Sequence, residues 1–186
     1  MKLGTTQFGG YSFKRKYSIA QIIVDIASII ALIYIIFMVY ACAVDIETTK
    51  SLNSTESSLD FLNWKPLIIW CILGVVIIAL SVLAILLPRK APKKIFVTEN
   101  NAPKYCNIID TGISCLRLVI LHSLSELCYI HMQSIMLQEV SLSIQLIFDL
   151  IIVALIVWLS AVRIDSVNQV AISEAEEKKT HKIIEN

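Results

Sequence analysis

Paired cysteines are missing from this chain. Its five cysteines, Cys42, Cys71, Cys106, Cys115 and Cys128, form no CxxC pair and are odd in number, so the sequence supports neither a disulfide framework nor a zinc site. Most fall inside apolar runs, where cysteine acts as a small hydrophobe. A phosphate-binding loop, an internal repeat and a low-complexity tract are also missing. There is no global electrostatic field either: a formal net charge of +1 offers nothing to a nucleic acid. No polar stretch is long enough for a separate soluble domain. The first apolar run, 19–44, exceeds a signal-peptide core of about 7–15 residues and is followed by no small-residue cleavage site, so it is expected to stay in place as a membrane helix.

What is present is hydrophobicity in blocks. Apolar residues make up 56% of the 186 positions and the mean hydropathy is +0.73, against about 45–50% apolar in soluble domains. The excess lies in four segments, predicting helices over about 19–44, 66–87, 112–136 and 144–162. The first is apolar all round, with Gln21, Asp25 and Ser28 at i, i+4 and i+7 in a stripe that should face other helices. The second carries no charge. Pro66 suits its first turn, Gly74 and Ser81 lie seven apart where they can seat a neighbour, and Pro88 ends it. The fourth holds Gln145 and Asp149. The third departs from the rest, because Arg117, His122, Glu126, His131 and Gln133 interrupt it.

The connections differ in charge. Residues 1–18 mix Phe8, Tyr11, Phe13 and Tyr17 with Lys14, Arg15 and Lys16, and Gly9-Gly10 argues against a helix there. Residues 45–65 hold four acids and two lysines, with a glycosylation triplet at Asn53 of a kind common by chance and Trp64 at headgroup depth. In 88–110, Arg89, Lys90, Lys93, Lys94 and Lys104 outnumber Glu99 and Asp110, and Pro88, Pro92, Pro103 and Asn100-Asn101 read as a loop. The cluster Lys14, Arg15, Lys16, Arg89, Lys90, Lys93 and Lys94 should meet lipid headgroups, chiefly as a topology signal. A short polar turn over 138–143 precedes the fourth helix. Residues 163–186 read as a solvated tail, with Glu174 and Lys178 able to support a short helix. With four spans, thirteen lysines and arginines fall on the side of both termini and two on the other, which places the termini in the cytoplasm.

Four charged residues fall inside the predicted spans: Asp25, Arg117, Glu126 and Asp149. Each costs about 2.5–3.5 kcal/mol near mid-bilayer unless it pairs, neutralises or meets water. Depth along the helices levels Asp25 with Arg117 and Asp149 with His131, predicting two ion pairs. His122, Glu126 and Gln133 fall within about 40° of one another on the third helix. Glu126 is then either a protonated acid bonded to His122, Gln133 or Tyr129, or part of a proton- or cation-handling site. A metal is not expected, since His122 and Glu126 share a face but His131 does not, and zinc needs three or four ligands. Ser123 and Ser125 beside His122 do not make a catalytic triad.

These readings predict an all-α integral membrane protein, a bundle of four transmembrane helices with both termini cytoplasmic. A tail (1–18), a transmembrane domain (19–165) and a second tail (166–186) follow in order. The expected function is that of a non-catalytic accessory or interaction subunit of a membrane complex. The alternative is a small proton- or cation-coupled transporter, and an enzyme ranks third. No cofactor is expected. The expected partners are the lipid bilayer and either further copies or another membrane protein, at the plasma membrane.

Overall fold

A computed structural model of the chain describes residues 5–52, 67–135 and 144–184. Side chains are described over 5–48, 67–133, 144 and 146–177, so Asn53, Trp64, Pro66, the 138–143 turn and the side chains of Gln145 and Lys178 lie outside the described residues. In chain order come β1 (Thr5–Phe8), β2 (Tyr11–Lys14), α1 (Ile19–Leu52), α2 (Ile68–Leu86), α3 (Ala102–Ile135) and α4 (Ile144–Ile184). All four helices are long and apolar enough to cross a membrane. The chain is an all-α membrane-type bundle with one small hairpin added.

α3 is the hub. It packs on α1, α2 and α4, while α4 packs chiefly on α3. The most apolar stretch of α3 is 28% buried against 6% for that of α4, so α4 is the helix with the most open surface. Three apolar layers hold the bundle. Ile35, Leu121 and Leu124 form the middle one, with Ile77 and Ile78 of α2 against them. Val39, Cys42, Ile46, Leu67 and Cys128 form the layer at one end. Ile46 explains why α1 runs to Leu52 rather than stopping near 44: it continues the i, i+3, i+7 face of Val39 and Cys42 into the same core. Gly74 lets α2 approach, since a Cβ there would stand 2.8 Å from Leu32 and within 3.7 Å of Leu121 and Leu124. Leu87 is extended before Pro88, which ends α2.

The third layer lies at the other end of the bundle, built from residues that read as tail and loop. Gly9 (φ 57°) and Gly10 (φ 91°) take the positive-φ pair that a two-residue hairpin turn needs, so β1 and β2 pair antiparallel with Phe8 opposite Tyr11. Gly9 and Gln7 exchange backbone hydrogen bonds of 3.1 Å with Arg89, docking the hairpin on the chain after α2. Phe8 stacks on Tyr105 at 5.7 Å. Around them gather Ala102, Phe13, Ala91, Ile95 and Val97, with Ile164 and Val167 from α4.

Two expectations change here. α3 begins at Ala102, about ten residues before the predicted 112, because the residues read as loop formers cap it instead. Thr98 N–H donates to Asn101 Oδ1 at 2.7 Å, Ala102 N–H donates to the Thr98 carbonyl at 3.0 Å, and Pro103 occupies the first turn, where its missing N–H costs nothing. α4 does not stop near 162 but runs on to Ile184; just past 162, Ile164, Val167 and Ala171 repeat at i, i+3 and i+7 and pack inward between charged neighbours.

Gly74→Leu should force α2 away from α1 and α3 at a cost of about 1–3 kcal/mol. A lowered thermal midpoint of the detergent-purified protein checks this. Val75→Leu, on the exposed side of α2, should leave the midpoint unchanged.

Candidate functional site

Three polar centres are stacked along α3. The first joins three helices. Arg117 is buried, its Nη2 meets Asp25 Oδ1 on α1, and its Nη1 donates to Ser81 Oγ on α2 at 3.2 Å. The Ser81 hydroxyl donates in turn to the Ile78 carbonyl at 2.8 Å. Gln21 and Ser28 are buried on the same face of α1 as Asp25, and the Ser28 hydroxyl returns to the Val24 carbonyl at 2.8 Å. Asp25 and Arg117 thus meet at the level that depth along the helices gives them.

The second centre lies about one and a half turns further along α3. Asp149 of α4 is buried. Its Oδ2 is 3.1 Å from His122 Nδ1 and accepts a 2.9 Å hydrogen bond from Ser123. An ionised Asp149 requires the hydrogen on Nδ1 of His122. The hydrogen-bond partner of Asp149 is therefore His122 rather than His131. The reason is the register of α3 against α4. Tyr105 meets Asn168, a Cβ on Gly112 would meet Ser160 at 2.9 Å, and His122 meets Asp149, so each step along α3 is matched by one back along α4. That register starts α4 about two turns short of the end of α3. His131, nine residues past His122, instead sets its ring edge against Trp70 at 6.4 Å.

The predicted trio of His122, Glu126 and Gln133 divides. Gln133 donates to Tyr129 Oη at 2.6 Å. His122 and Glu126 both line a crevice of about 640 Å³ between α1, α3 and α4, with Ala27, Ala31 and Tyr34 opposite and Asp149 beside them. His122 is 47% exposed along its side chain. Among the described residues the Glu126 carboxylate has no hydrogen bond or ion pair. Ser125 bonds the His122 carbonyl at 2.7 Å and does not reach the imidazole as a nucleophile would. Among the described residues no group of three His, Cys, Asp or Glu side chains could hold a metal.

The third centre contains the residue that sequence reasoning passed over. Asp110 is buried on α3, and its two oxygens meet Arg15 and, at 2.7 Å, Arg89. Arg15 also donates to the Ile85 carbonyl at 3.2 Å and lies over the Tyr17 ring at 4.9 Å, and Arg89 donates to the Ala84 carbonyl at 2.7 Å. Cys106 contacts the same carboxylate at 3.6 Å. Arg15 and Arg89 are therefore taken up in holding the hairpin to α2 and α3. Of the seven residues expected at headgroups, Lys14, Lys16, Lys90, Lys93 and Lys94 remain exposed. Asp110 could not be singled out beforehand because Arg15 lies 95 positions away and reaches it only through the docked hairpin.

Cys42, Cys71 and Cys128, one from each of three helices, also converge in the layer around Ile46. All are free thiols packed among apolar side chains. Comparison with family models, with curated proteins and with solved structures finds no match to this chain.

Leaving a buried charge without its partner costs about 3–5 kcal/mol, whereas replacing both members of a pair with apolar groups is often neutral. Arg117 is the buried member of its pair and the Asp25 side chain is 35% exposed, so Asp25→Leu alone should lower the folded yield sharply, and Asp25→Leu with Arg117→Met should recover most of it, as read by size-exclusion of the detergent-purified protein. Asp110→Ala leaves Arg15 and Arg89 without their shared counter-charge. Its expected outcome is faster tryptic cleavage after Lys14 and Arg15, with α1 to α4 retaining their helical circular dichroism.

Proposed function

We infer that the chain crosses a membrane four times with both termini cytoplasmic, and that it serves as a non-catalytic subunit whose α1/α3/α4 crevice receives a transmembrane helix of another membrane protein. The observation that carries this is the open position of His122 and Glu126. In a bilayer each would face hydrocarbon, at a cost that a polar partner side chain removes. The opposite wall suits a helix: Ala27 and Ala31 stand one turn apart on α1, a small-residue pair that lets a second backbone come close. The topology is supported by charge. Lys14, Lys16, Lys90, Lys93, Lys94, Lys104 and Arg163 are all exposed on segments at the hairpin end of the bundle, as expected of a cytoplasmic face. The length of the apolar helices supports a location in a membrane, and the cell membrane is the one we propose.

A second reading rests on the same crevice. An acid without a partner among the described residues, beside a His–Asp pair, is also the composition of a proton- or cation-coupled site.

Photo-crosslinkers placed at Ala31 and Ile152, in the crevice, and at Ile69, on the exposed side of α2, separate the outcomes. Capture of one discrete membrane protein from Ala31 and Ile152 but not Ile69 is expected in native membranes. Capture of a second copy makes the complex homomeric. Capture of a second copy alone, together with proton-driven flux in proteoliposomes that Glu126→Gln abolishes, would replace the subunit reading with the transporter, and lipid-only adducts at all three positions would overturn both.

A further inference from the structure

The hairpin end holds a basic cavity that the crevice does not involve. Its volume is about 380 Å³, within the range of about 300–1,000 Å³ usual for small-ligand sites. One wall is the strap from β2 into α1, with Lys14, Arg15, Lys16 and Tyr17. The other is the first turns of α3, with Lys104 and Asp110. The wall is already neutralised in part, because Arg15 and Arg89 share Asp110. Two guanidiniums on one carboxylate still leave a positive surplus behind the cavity. Lys14, Lys16 and Lys104 add to it, each exposed and with no ion pair among the described residues. Two helix N-termini border the same space, that of α1 at Ile19 and that of α3 at Ala102, and both present the positive end of the helix dipole.

We propose that this cavity binds the headgroup of an anionic lipid carrying more than one phosphate. A surplus of several positive charges on three separate segments exceeds what a single phosphate, at about −1.5 to −2, would neutralise. The rim argues for a lipid rather than a soluble anion. Tyr17, 53% exposed, is followed within two positions by Ile19, 78% exposed, where the apolar surface of α1 begins. A headgroup seated between Lys14, Lys16 and Lys104 would lay its acyl chains along that surface. The Arg15 guanidinium, held between the Tyr17 ring and Asp110, keeps the strap in place as the binding wall. The site is narrower than the basic cluster read from sequence: Lys90, Lys93 and Lys94 line no part of it, and Lys104 joins it.

The test uses the full chain in phosphatidylcholine nanodiscs containing a few mole per cent of a bisphosphorylated inositol lipid, with bound lipid measured by native mass spectrometry. The triple variant Lys14→Ala, Lys16→Ala, Lys104→Ala should bind about 100-fold more weakly, at about a factor of five per lysine. The triple variant Lys90→Ala, Lys93→Ala, Lys94→Ala removes the same charge outside the cavity and should weaken binding far less than the cavity triple. Phosphatidylserine supplying equal total charge should bind far less well. Equal losses in both triple variants, or equal retention of phosphatidylserine, would show only general attraction to an anionic surface and overturn the proposal. So would a soluble inositol polyphosphate that binds as tightly as the lipid, since the ligand would then be a free polyphosphate. The three cavity lysines are exposed, so unchanged circular dichroism is expected in their variant. If it is not unchanged, the charge-conserving Lys14→Arg, Lys16→Arg, Lys104→Arg variant, expected to bind within about threefold of wild type, decides between lost charge and lost fold.

Discussion

A guanidinium set among apolar helices must find a carboxylate, and Arg117 finds it by reaching from α3 to α1. This contact fixes how far the two helices slide along each other. Asp25 is six positions into α1, and Arg117 is fifteen into α3. Levelling them leaves the first nine residues of α3 projecting past the start of α1, about 13 Å at 1.5 Å per residue. That projection carries Tyr105, Cys106 and Asp110, none of which can stay bare. The hairpin covers Tyr105 with Phe8 and brings Arg15 to Asp110. The small core at that end follows from an ion pair about two turns further up the bundle.

The same projection gives the lower part of α4 a face to pack on. Because α3 and α4 keep one register from His122–Asp149 through Gly112–Ser160 to Tyr105–Asn168, α4 is held against α3 down to Asn168, and it continues as helix to Ile184. Asn168 marks the lower contact well: its side-chain oxygen accepts the Phe96 N–H at 2.7 Å and its amide donates to the Lys94 carbonyl at 3.4 Å. The segment after Pro88, the first turns of α3 and the extension of α4 therefore close on one another. A polar, charge-rich sequence such as 163–177 folds as helix here because one residue in three or four has an apolar place to go.

Much of the bundle was legible before the fold. Four apolar blocks give four long helices, Pro88 ends the second, and the small residues Gly74 and Ser81 sit where α2 meets its neighbours. Depth along parallel helices was enough to level Asp25 with Arg117, because both are measured from the same end. Asp149 is measured from the other end, across residues whose path periodicity does not specify, so depth levels it with His131 whereas its side chain meets His122. Asp110 and the hairpin were illegible for a different reason. A Gly-Gly step between alternating residues is a hairpin signal, but nothing in residues 1–18 says what the hairpin will dock on, and the partner arginines of Asp110 depend on that docking. The gathering of Cys42, Cys71 and Cys128 is of the same kind. It depends on helix order, which no single helix encodes.

The polar groups along α3 therefore divide by enclosure. Arg117 and Asp110 are each enclosed by counter-charges from other elements, so their interactions are used up in assembly. His122 and Glu126 lie on a wall that α1 and α4 flank and to which α2 contributes nothing, since Gly74 holds α2 against Leu32, Leu121 and Leu124. The result is a groove with three walls. A proton or cation moving along it would have lipid on the fourth side, where no side chain or water could replace its solvation. A helix of another chain would close that side, and its polar atoms could meet the Glu126 carboxylate. Both functional readings thus need the same missing wall. The subunit reading takes the second chain as the function itself, and the transporter reading takes it as a precondition, which makes the first the more economical use of the same geometry.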